Sequence, residues 1–323
     1  MSRALVAAFL LVPTIAAADA PRDTPAAIEL DREAPPPGRS ELGFDAGAPV
    51  EGWAAALSLG YLYRPITLRS GGAESRPVER REKLALGGAV GLGETVVLDA
   101  RMPFVHQIGA RLAILGDDRA LDRWAPGDLR IGGRIRVVRT TYADALVRGE
   151  VSLPTGDDQD FAGEASWGLA WSLIGRFRLP AGIVLAATGG IRLRGAEVMI
   201  GDRIVGDELH GGVGIAVPVP PIHPLWCVAD QVKLTGELVG SVGDEVRLAS
   251  GPSPAEARIG IVTRPLESVT IGIRIGAGLG DEIGAPRWRA TFEITYHGSQ
   301  RLIRPAAPAD PTEQDDHGDS FDP

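Results

Sequence analysis

The chain has 323 residues, of which 42 are glycine and only one, Cys227, is cysteine, and its formal net charge is −9 at pH 7. A single cysteine excludes an internal disulfide framework. After the first 20 residues no stretch approaches the run of about 18 apolar residues that marks a membrane-spanning helix, so no such helix is expected.

The N-terminal residues 1–20 have the pattern of a secretory signal peptide. Arg3 supplies the positive charge, Ala4–Ala17 form a short apolar run, and Ala18-Asp19-Ala20 fits the small-x-small cleavage rule. The sequence therefore predicts export, with a mature chain that begins at Pro21. The alternative is that this segment stays attached as a membrane anchor.

Two flanking segments lack a sustained hydrophobic period. Residues 21–51 are rich in proline, alanine and charge, which predicts a disordered or extended periplasmic segment. Residues 299–323 are acidic and proline-rich and cannot bury enough apolar surface to fold, so a disordered acidic tail is expected. Residues 52–298 remain as one domain.

The clearest structural pattern in that domain lies in Ala165–Arg194. Two runs flank a turn at Pro180-Ala181-Gly182, and in each run every second residue is apolar. The residues between are small, polar or basic. A period of two predicts strands, and the turn predicts a hairpin. Each run is long enough to cross a membrane, which takes a tilted strand of about 9–11 residues.

The same alternation recurs along the chain and predicts about twelve strands, an even number typical of bacterial single-chain barrels. Besides the two in the hairpin, the predicted strands are Trp53–Leu68, Lys83–Leu92, Val96–Phe104, Leu129–Val137, Ala145–Leu153, Leu209–Val217, Gln231–Val239, Glu256–Thr263, Ser268–Ala277 and Arg287–Tyr296.

Short and long connectors alternate between these strands, except at the long, proline-rich connector Pro218–Ala229. Outer-membrane barrels have short periplasmic turns and longer external loops. The predicted fold class is therefore all-β: a single transmembrane antiparallel up-and-down β-barrel with both termini in the periplasm. A soluble β-sandwich also has many short strands, so a secreted soluble β-protein stays as a lower alternative.

Aromatic side chains fall on the apolar parity of the strands. Such rings form girdles at the two membrane interfaces because they tolerate both lipid tails and headgroups. The predicted membrane girdle comprises Trp53, Tyr61, Tyr63, Phe104, Trp167, Trp171, Trp288, Phe292 and Tyr296.

The opposite parity carries many basic and fewer acidic residues. The predicted lumen-lining residues are Arg101, Arg130, Arg134, Arg136, Arg148, Glu150, Arg176, Arg178, Arg192, Arg194, Lys233, Glu237, Arg258, Arg274, Arg289 and Glu293. A basic wall lowers the electrostatic barrier for anions, which favours a passive channel for small anionic or polar solutes. Alternatively, the arginines pair with acids on neighbouring strands and close a narrow lumen. The protein would then be a non-conducting structural or adhesive barrel.

Catalytic and metal signatures are missing from the sequence. None of the five histidines lies in a nucleophile motif, and no histidine or cysteine spacing suggests zinc. We therefore expect no enzymatic activity, metal or cofactor. The expected partners are outer-membrane lipid, the barrel assembly machinery and small-molecule solutes, with no nucleic acid. The sequence leaves the oligomeric state open.

Three short motifs carry a family resemblance. Pro126–Gly132, Val151–Asp157 and Phe161–Glu164 resemble segments of a group of proteobacterial outer-membrane barrels of the transporter-like kind. This group is similar to the phenol-degradation outer-membrane family and to the barrels of proteins with an OmpA-type domain. The resemblance covers roughly Trp53 to Tyr296. It implies solute passage, including that of hydrophobic compounds, and a location in the outer membrane of a Gram-negative bacterium.

The resemblance has one departure and transfers no catalytic residue. Where relatives carry a C-terminal peptidoglycan-binding domain, this sequence shows only the acidic segment 299–323. Anchoring to the cell wall is therefore not expected.

Overall fold

The computed structural model describes residue 37 and residues 40–50, 52–70, 73–110, 120–200, 203–220, 232–243, 254–280 and 284–298. The expected signal peptide, residues 21–36 and the acidic tail lie outside the described residues. Among those described, no helix is long and apolar enough to span a membrane.

The described chain is built of strands and one short 3-10 turn, Pro180–Gly182. The strands are β1 (Trp53–Tyr63), β2 (Leu68–Ser70), β3 (Ala73–Ser75), β4 (Arg80–Leu92), β5 (Val96–Gly109), β6 (Leu121–Pro126), β7 (Leu129–Arg139), β8 (Ala143–Leu153), β9 (Gly168–Arg178), β10 (Val184–Arg194), β11 (Val198–Ile200), β12 (Arg203–Val205), β13 (Glu208–Pro218), β14 (Val232–Gly243), β15 (Ala255–Leu266), β16 (Val269–Gly278) and β17 (Trp288–Gly298).

Neighbouring strands pair antiparallel in the order of the chain and close into a ring through β1 and β17. The closing pair runs in register from Trp53 opposite Gly298 to Tyr63 opposite Trp288. β7 pairs with the first half of β5 and β6 pairs with the second half, so β6 and β7 together occupy one strand position in the barrel. The ring therefore has twelve strand positions, and the predicted up-and-down barrel is confirmed.

The period-two pattern explains which side chains point inward. On β16, Thr270, Gly272 and Arg274 are buried, whereas Ile273 and Ile275 are 55% and 57% exposed. The exposed side chains form an apolar outer surface, and the buried ones fill the lumen. This arrangement is that of a barrel with lipid outside and polar groups inside.

The connectors follow the predicted alternation with the predicted exception. Short turns join β4 to β5, β7 to β8, β9 to β10 and β15 to β16, and longer loops join strands at the opposite end. The exception is the long connector from β13 to β14, which starts and finishes at the end with the short turns. We call these two ends of the barrel the short-turn end and the long-loop end. Two small hairpins, β2–β3 and β11–β12, lie within the long loops.

Some strand boundaries differ from the prediction. β1 ends at Tyr63 rather than Leu68, because Arg64 adopts a left-handed conformation and Pro65 follows it. β5 continues to Gly109, where it pairs with β6, a strand that lies within a predicted loop. The mixed polar sequence of β6 does not alternate, so its pairing depends on β5 rather than on its own pattern.

The structure describes part of the segment 21–51, which was predicted to be disordered or extended. Residues 40–50 lie inside the barrel and contact strands spread around the ring, among them β4, β7, β9, β14 and β16. We call residues 40–50 the plug. It is held there because its apolar side chains and its two carboxylates both find partners on the inner wall.

Candidate functional site: the plugged lumen

The plug enters at the short-turn end. The carbonyl oxygen of Val50 lies against Gly91 of β4, at 2.0 Å from the position that a Cβ on Gly91 would occupy. Val50 packs with Ala54, Ala89 and Val97 of the adjoining strands. The plug therefore lies just before β1 in the chain and turns inward at the barrel rim.

Apolar side chains of the plug pack on small residues of the far wall. Leu42, Phe44 and Ala46 are at most 2% exposed and form one cluster with wall residues of β10, β13 and β14. The wall side of this cluster is Val184, Ala186, Ala216 and Val239. At about 25 cal/mol per Å² of apolar surface removed from water, this burial is the main favourable contribution to holding the plug inside.

Glu41 lies near the short-turn end and faces three cations. Its carboxylate accepts hydrogen bonds from Arg176 Nη2 at 2.9 and 3.1 Å and lies 3.4 Å from Lys233 Nζ. Arg264 Nη2 is 3.7 Å away. Burial raises the pKa of Glu41, but the three positive charges outweigh burial and hold the pKa below its ordinary value.

Asp45 lies farther from the short-turn end and pairs with two arginines. Its Oδ1 accepts a hydrogen bond from Arg134 Nη1 at 2.8 Å, and its Oδ2 lies 3.6 Å from Arg148 Nε. Arg134 also donates to the carbonyl oxygen of Ala48. Both carboxylates of the plug therefore neutralise arginines of the wall.

The wall has its own buried ion pairs at mid-height. Arg148 makes a bidentate pair with Asp99 at 2.7 and 2.9 Å and donates to Glu150 at 2.8 Å. On the other side, Arg274 donates to Glu237 at 3.1 Å. Such pairs are geometrically specific, but in a buried site they stabilise little beyond the cost of removing both charges from water.

The half of the lumen nearer the long loops holds two small polar cavities. One has Phe44 and Asp45 as its floor and Arg130, Arg192 and His210 among its walls. The other is lined by charged pairs that include Arg258 and Glu256. His210 borders both cavities and bonds Ser172 Oγ at 2.9 Å. A solute that enters from the long-loop end would reach the plug through these cavities.

The three motifs of the family resemblance meet at the rim of the long-loop end. Asp128 is fully buried and accepts backbone hydrogen bonds from Gly156 at 2.9 Å and Glu164 at 2.8 Å. Thr155 Oγ1 accepts from Leu129 N at 2.9 Å. A Cβ on Gly156 would lie 2.7 Å from Gly163 Cα, so only glycine allows this approach. The motifs therefore fix the loop between β8 and β9.

The structure brings most of the predicted lumen residues into this network. Buried in the lumen are Arg130, Arg134, Arg148, Arg176, Arg192, Lys233, Glu237, Arg258, Arg274 and Arg289. Half-buried are Arg101, Arg136, Glu150, Arg178, Arg194 and Glu293. Of these, Arg136 and Arg178 belong to the short-turn end, where both approach the buried Asp144.

Sequence reasoning missed the residues that close the lumen. Glu41 and Asp45 were placed in the segment expected to be disordered, although alternation runs through it: Leu42, Phe44, Ala46, Ala48 and Val50 are all buried. Glu164 and Glu208, which pair with Arg194, lie outside the predicted strands. The apolar period in residues 42–50 was the signal that could have revealed the plug.

The predicted girdle residues are exposed or half-buried, and four of them form two ring pairs at opposite ends of the seam between β1 and β17. At the short-turn end Trp53 and Tyr296 pack with ring centroids 5.5 Å apart. At the long-loop end Tyr61 stacks on Trp288 at 4.8 Å. Exposed or half-buried in the same way are Tyr63, Phe104, Trp167, Trp171 and Phe292. Trp124, which is 59% exposed and stacked on His106, was missed.

The part of the chain that the structure describes contains no cluster of histidine, cysteine or acidic residues that could hold a metal ion. Comparison with known protein families gives no match, and neither does comparison with curated proteins. Comparison with solved structures gives matches over most of the chain.

Two solved barrels are similar over nearly their full length. The COG4313 outer membrane channel from Pseudomonas putida F1 aligns with a TM-score of 0.57 and 13% identity, over 80% of this chain and 99% of that one. The NanC porin aligns with a TM-score of 0.50 and 4% identity, over 76% and 99%. At such low identity the likeness concerns the fold. This chain therefore has the barrel fold found in outer-membrane channels, as the sequence motifs led us to expect.

Proposed function

We propose that this protein is a passive channel for small anionic solutes in the outer membrane of a Gram-negative bacterium. The observation that carries the proposal is the closed barrel, apolar outside, whose inner wall presents buried guanidinium groups on strands from β7 to β17. A basic lumen favours anions because it offsets the cost of removing them from bulk water. The solved channels of similar fold support this function without identifying a solute.

In the conformation described, the plug closes the path. Its apolar cluster and its two carboxylates occupy the lumen between the short-turn end and mid-height. Conduction therefore requires the plug to move. The plug can move without breaking the barrel, because its described contacts with the wall are side-chain packing, ion pairs and isolated hydrogen bonds rather than a strand ladder.

The proposed orientation places the short-turn end in the periplasm. Bacterial barrels have short periplasmic turns and longer external loops. Because the plug joins β1 at the short-turn end, it would enter from the periplasm. Solutes from outside would first meet the two polar cavities between the plug and the long loops. The charged lining of these cavities fits anionic solutes better than the hydrophobic compounds implied by the family resemblance.

Planar-bilayer recording tests this function. We expect brief, infrequent current steps from the wild-type protein. The double variant Glu41→Gln/Asp45→Asn should open more often, because it removes the charges that hold the plug against Arg176 and Arg134. Reversal potentials in a salt gradient should show anion preference. The control is Glu79→Gln, which alters an arginine–glutamate pair outside the lumen.

The plug also favours a second function, that of a non-conducting structural or adhesive barrel. In that case the ion pairs and the plug serve only to fill the interior. The same recordings distinguish the two functions: the absence of discrete steps from the double variant would support the non-conducting barrel, and cation preference would contradict the anion channel.

A further inference from the structure

Glu41 occupies a site where one carboxylate faces three cationic side chains. One carboxylate faces Arg176 of β9, Lys233 of β14 and Arg264 of β15, with contact distances of 2.9, 3.4 and 3.7 Å. A dianion in the place of this carboxylate would bring a second negative charge within reach of the same three cations. Since like charges repel more strongly away from bulk water, the site favours an occupant with more negative charge.

The donors of this site are also incompletely used. Arg176 is only 5% exposed, and its Nη2 donates to Glu41. Its Nε and Nη1 atoms are buried and have no hydrogen-bond partner among the described residues. An unsatisfied buried donor carries a desolvation cost. A ligand with more acceptor oxygens than one carboxylate would remove part of that cost.

The present occupant belongs to a segment that can leave. Glu41 lies close to the start of the described plug, and its neighbour Gly43 is held by a single backbone bond to Glu237 Oε1 at 2.7 Å. The three cations belong to wall strands and stay behind when the plug moves. An open lumen would therefore present them together, close to the short-turn end.

We propose that Arg176, Lys233 and Arg264 form a binding site for small dianions, in which the Glu41 carboxylate acts as an intramolecular substitute. This inference rests on the proposed function, because it makes the solute and the plug compete for the same cations. A dicarboxylate and a phosphate share the required chemistry: two negative charges and several acceptor oxygens. A solute that binds here would hold the channel open in proportion to its concentration.

Calorimetric titration of the purified full-length protein in lipid nanodiscs tests the site. The probes are succinate and inorganic phosphate, with acetate as the monoanion. Competition from Glu41 reduces the apparent affinity for a dianion in proportion to the fraction of time that the site is free. A site that is free about one-tenth of the time therefore binds about tenfold more weakly. We therefore expect Glu41→Gln to bind succinate or phosphate about tenfold more tightly than the wild type, and acetate weakly.

Variants of the cations locate the site. In the Glu41→Gln background, Lys233→Met should lower dianion affinity about tenfold or more. Lys83→Met is the matched control, because it removes another buried, inward-facing lysine from β4, far from Glu41 around the ring, and it should leave the affinity unchanged. Heat-modifiable gel mobility verifies that each variant is a folded barrel. Binding of succinate alone would identify a dicarboxylate site, and binding of phosphate alone a phosphate site.

Equal affinities in the wild type and in Glu41→Gln would overturn the proposed competition. Equal losses in Lys233→Met and Lys83→Met would overturn the proposed location. The outcome is separable from that of the channel hypothesis, because calorimetry needs no current. Tighter binding by Glu41→Gln in a protein that gives no current steps would support the dianion site and contradict the channel.

Discussion

Gly214 of β13 lacks a side chain at a point where two apolar side chains of the plug pack against the wall. A Cβ at this position would lie 3.0 Å from both Leu42 Cδ1 and Phe44 Cε1. These two plug side chains are at most 2% exposed. The absence of a side chain at Gly214 therefore allows the apolar half of the plug to fit.

Gly214→Val should displace the plug while leaving the barrel closed. The added methyl groups overpack the cluster, at a typical cost of about 1–3 kcal/mol. The plug can move away more easily than the hydrogen-bonded strands can. We expect a several-fold increase in open probability in planar bilayers. Gly189→Val is the control, because a Cβ on Gly189 points outward and meets no atom within 4 Å. Similar traces from the two variants would argue against a mobile plug.

The charge of Glu41 gives the plug a dependence on pH. The inserted carboxyl has a pKa below its ordinary value of 4.5, whereas the released carboxyl returns to that value, so the released form binds protons more readily. Its contribution to insertion is thus fully present at neutral pH and is lost as pH falls below about 4.5. The groups whose charges lower the pKa of Glu41 are Arg176, Lys233 and Arg264.

We therefore expect channel opening to increase as the pH is lowered from 7 through 4.5 and below. The measurement is open probability at a series of pH values. In Glu41→Gln the acid-induced increase should shrink, since that variant has already lost the charge. An undiminished increase in the variant would assign the acid response to another group.

At the scale of elements, the loop between β8 and β9 depends on one carboxylate. Asp128 accepts the backbone N–H groups of Gly156 and Glu164 and has no exposed surface. Asp128→Ala should leave these donors without an acceptor, at about 1–3 kcal/mol each. We expect rapid limited proteolysis between residues 154 and 167 and a lower unfolding temperature.

Asp158→Ala in the same loop is the control for Asp128→Ala. Asp158 is half-buried, and no hydrogen bond from its side chain fixes the loop in the way that Asp128 does. Its variant should be cleaved at the wild-type rate. Equal protection of the two variants would mean that the loop is held by other contacts, such as that of Arg81 with the carbonyl oxygen of Phe161.

The strands could be predicted from sequence because each one carries its own evidence. Alternation in β9 and β10, for example, depends only on the residues of those strands. The plug could not be predicted so directly. Its partners lie far away along the chain: Lys233, for example, is 192 positions from Glu41. In addition, the apolar period of the plug is short, and proline and glycine residues surround it. Which acidic residue pairs with which arginine in the lumen likewise depends on the stagger between strands, and the sequence pattern does not encode that stagger.

At the scale of the whole molecule, the two aromatic clusters of the β1–β17 seam mark the edges of a band. Trp53 and Tyr61 are separated by eight residues of one strand, which at about 3.3 Å per residue spans roughly 26 Å along the strand. The apolar band of an outer-membrane barrel is about 25 Å tall. Because barrel strands are tilted by about 35–45°, this length corresponds to a height of roughly 19–22 Å, so the two aromatic clusters lie near the edges of that band.

Spin labels on the full-length protein test whether lipid covers this band. In a Cys227→Ser background, a label at Leu173, which is 68% exposed near the middle of β9, should be accessible to oxygen and protected from a water-soluble relaxant. Labels at Trp53 and Trp288 should lie at intermediate depth. A label at Ser172, the neighbour that faces inward, should not show the lipid signature. If Leu173 and Ser172 were equally accessible to the water-soluble relaxant in liposomes, the barrel would not be embedded in the bilayer. Because successive residues of one strand then report opposite environments, this pair tests both the period-two pattern and the membrane location.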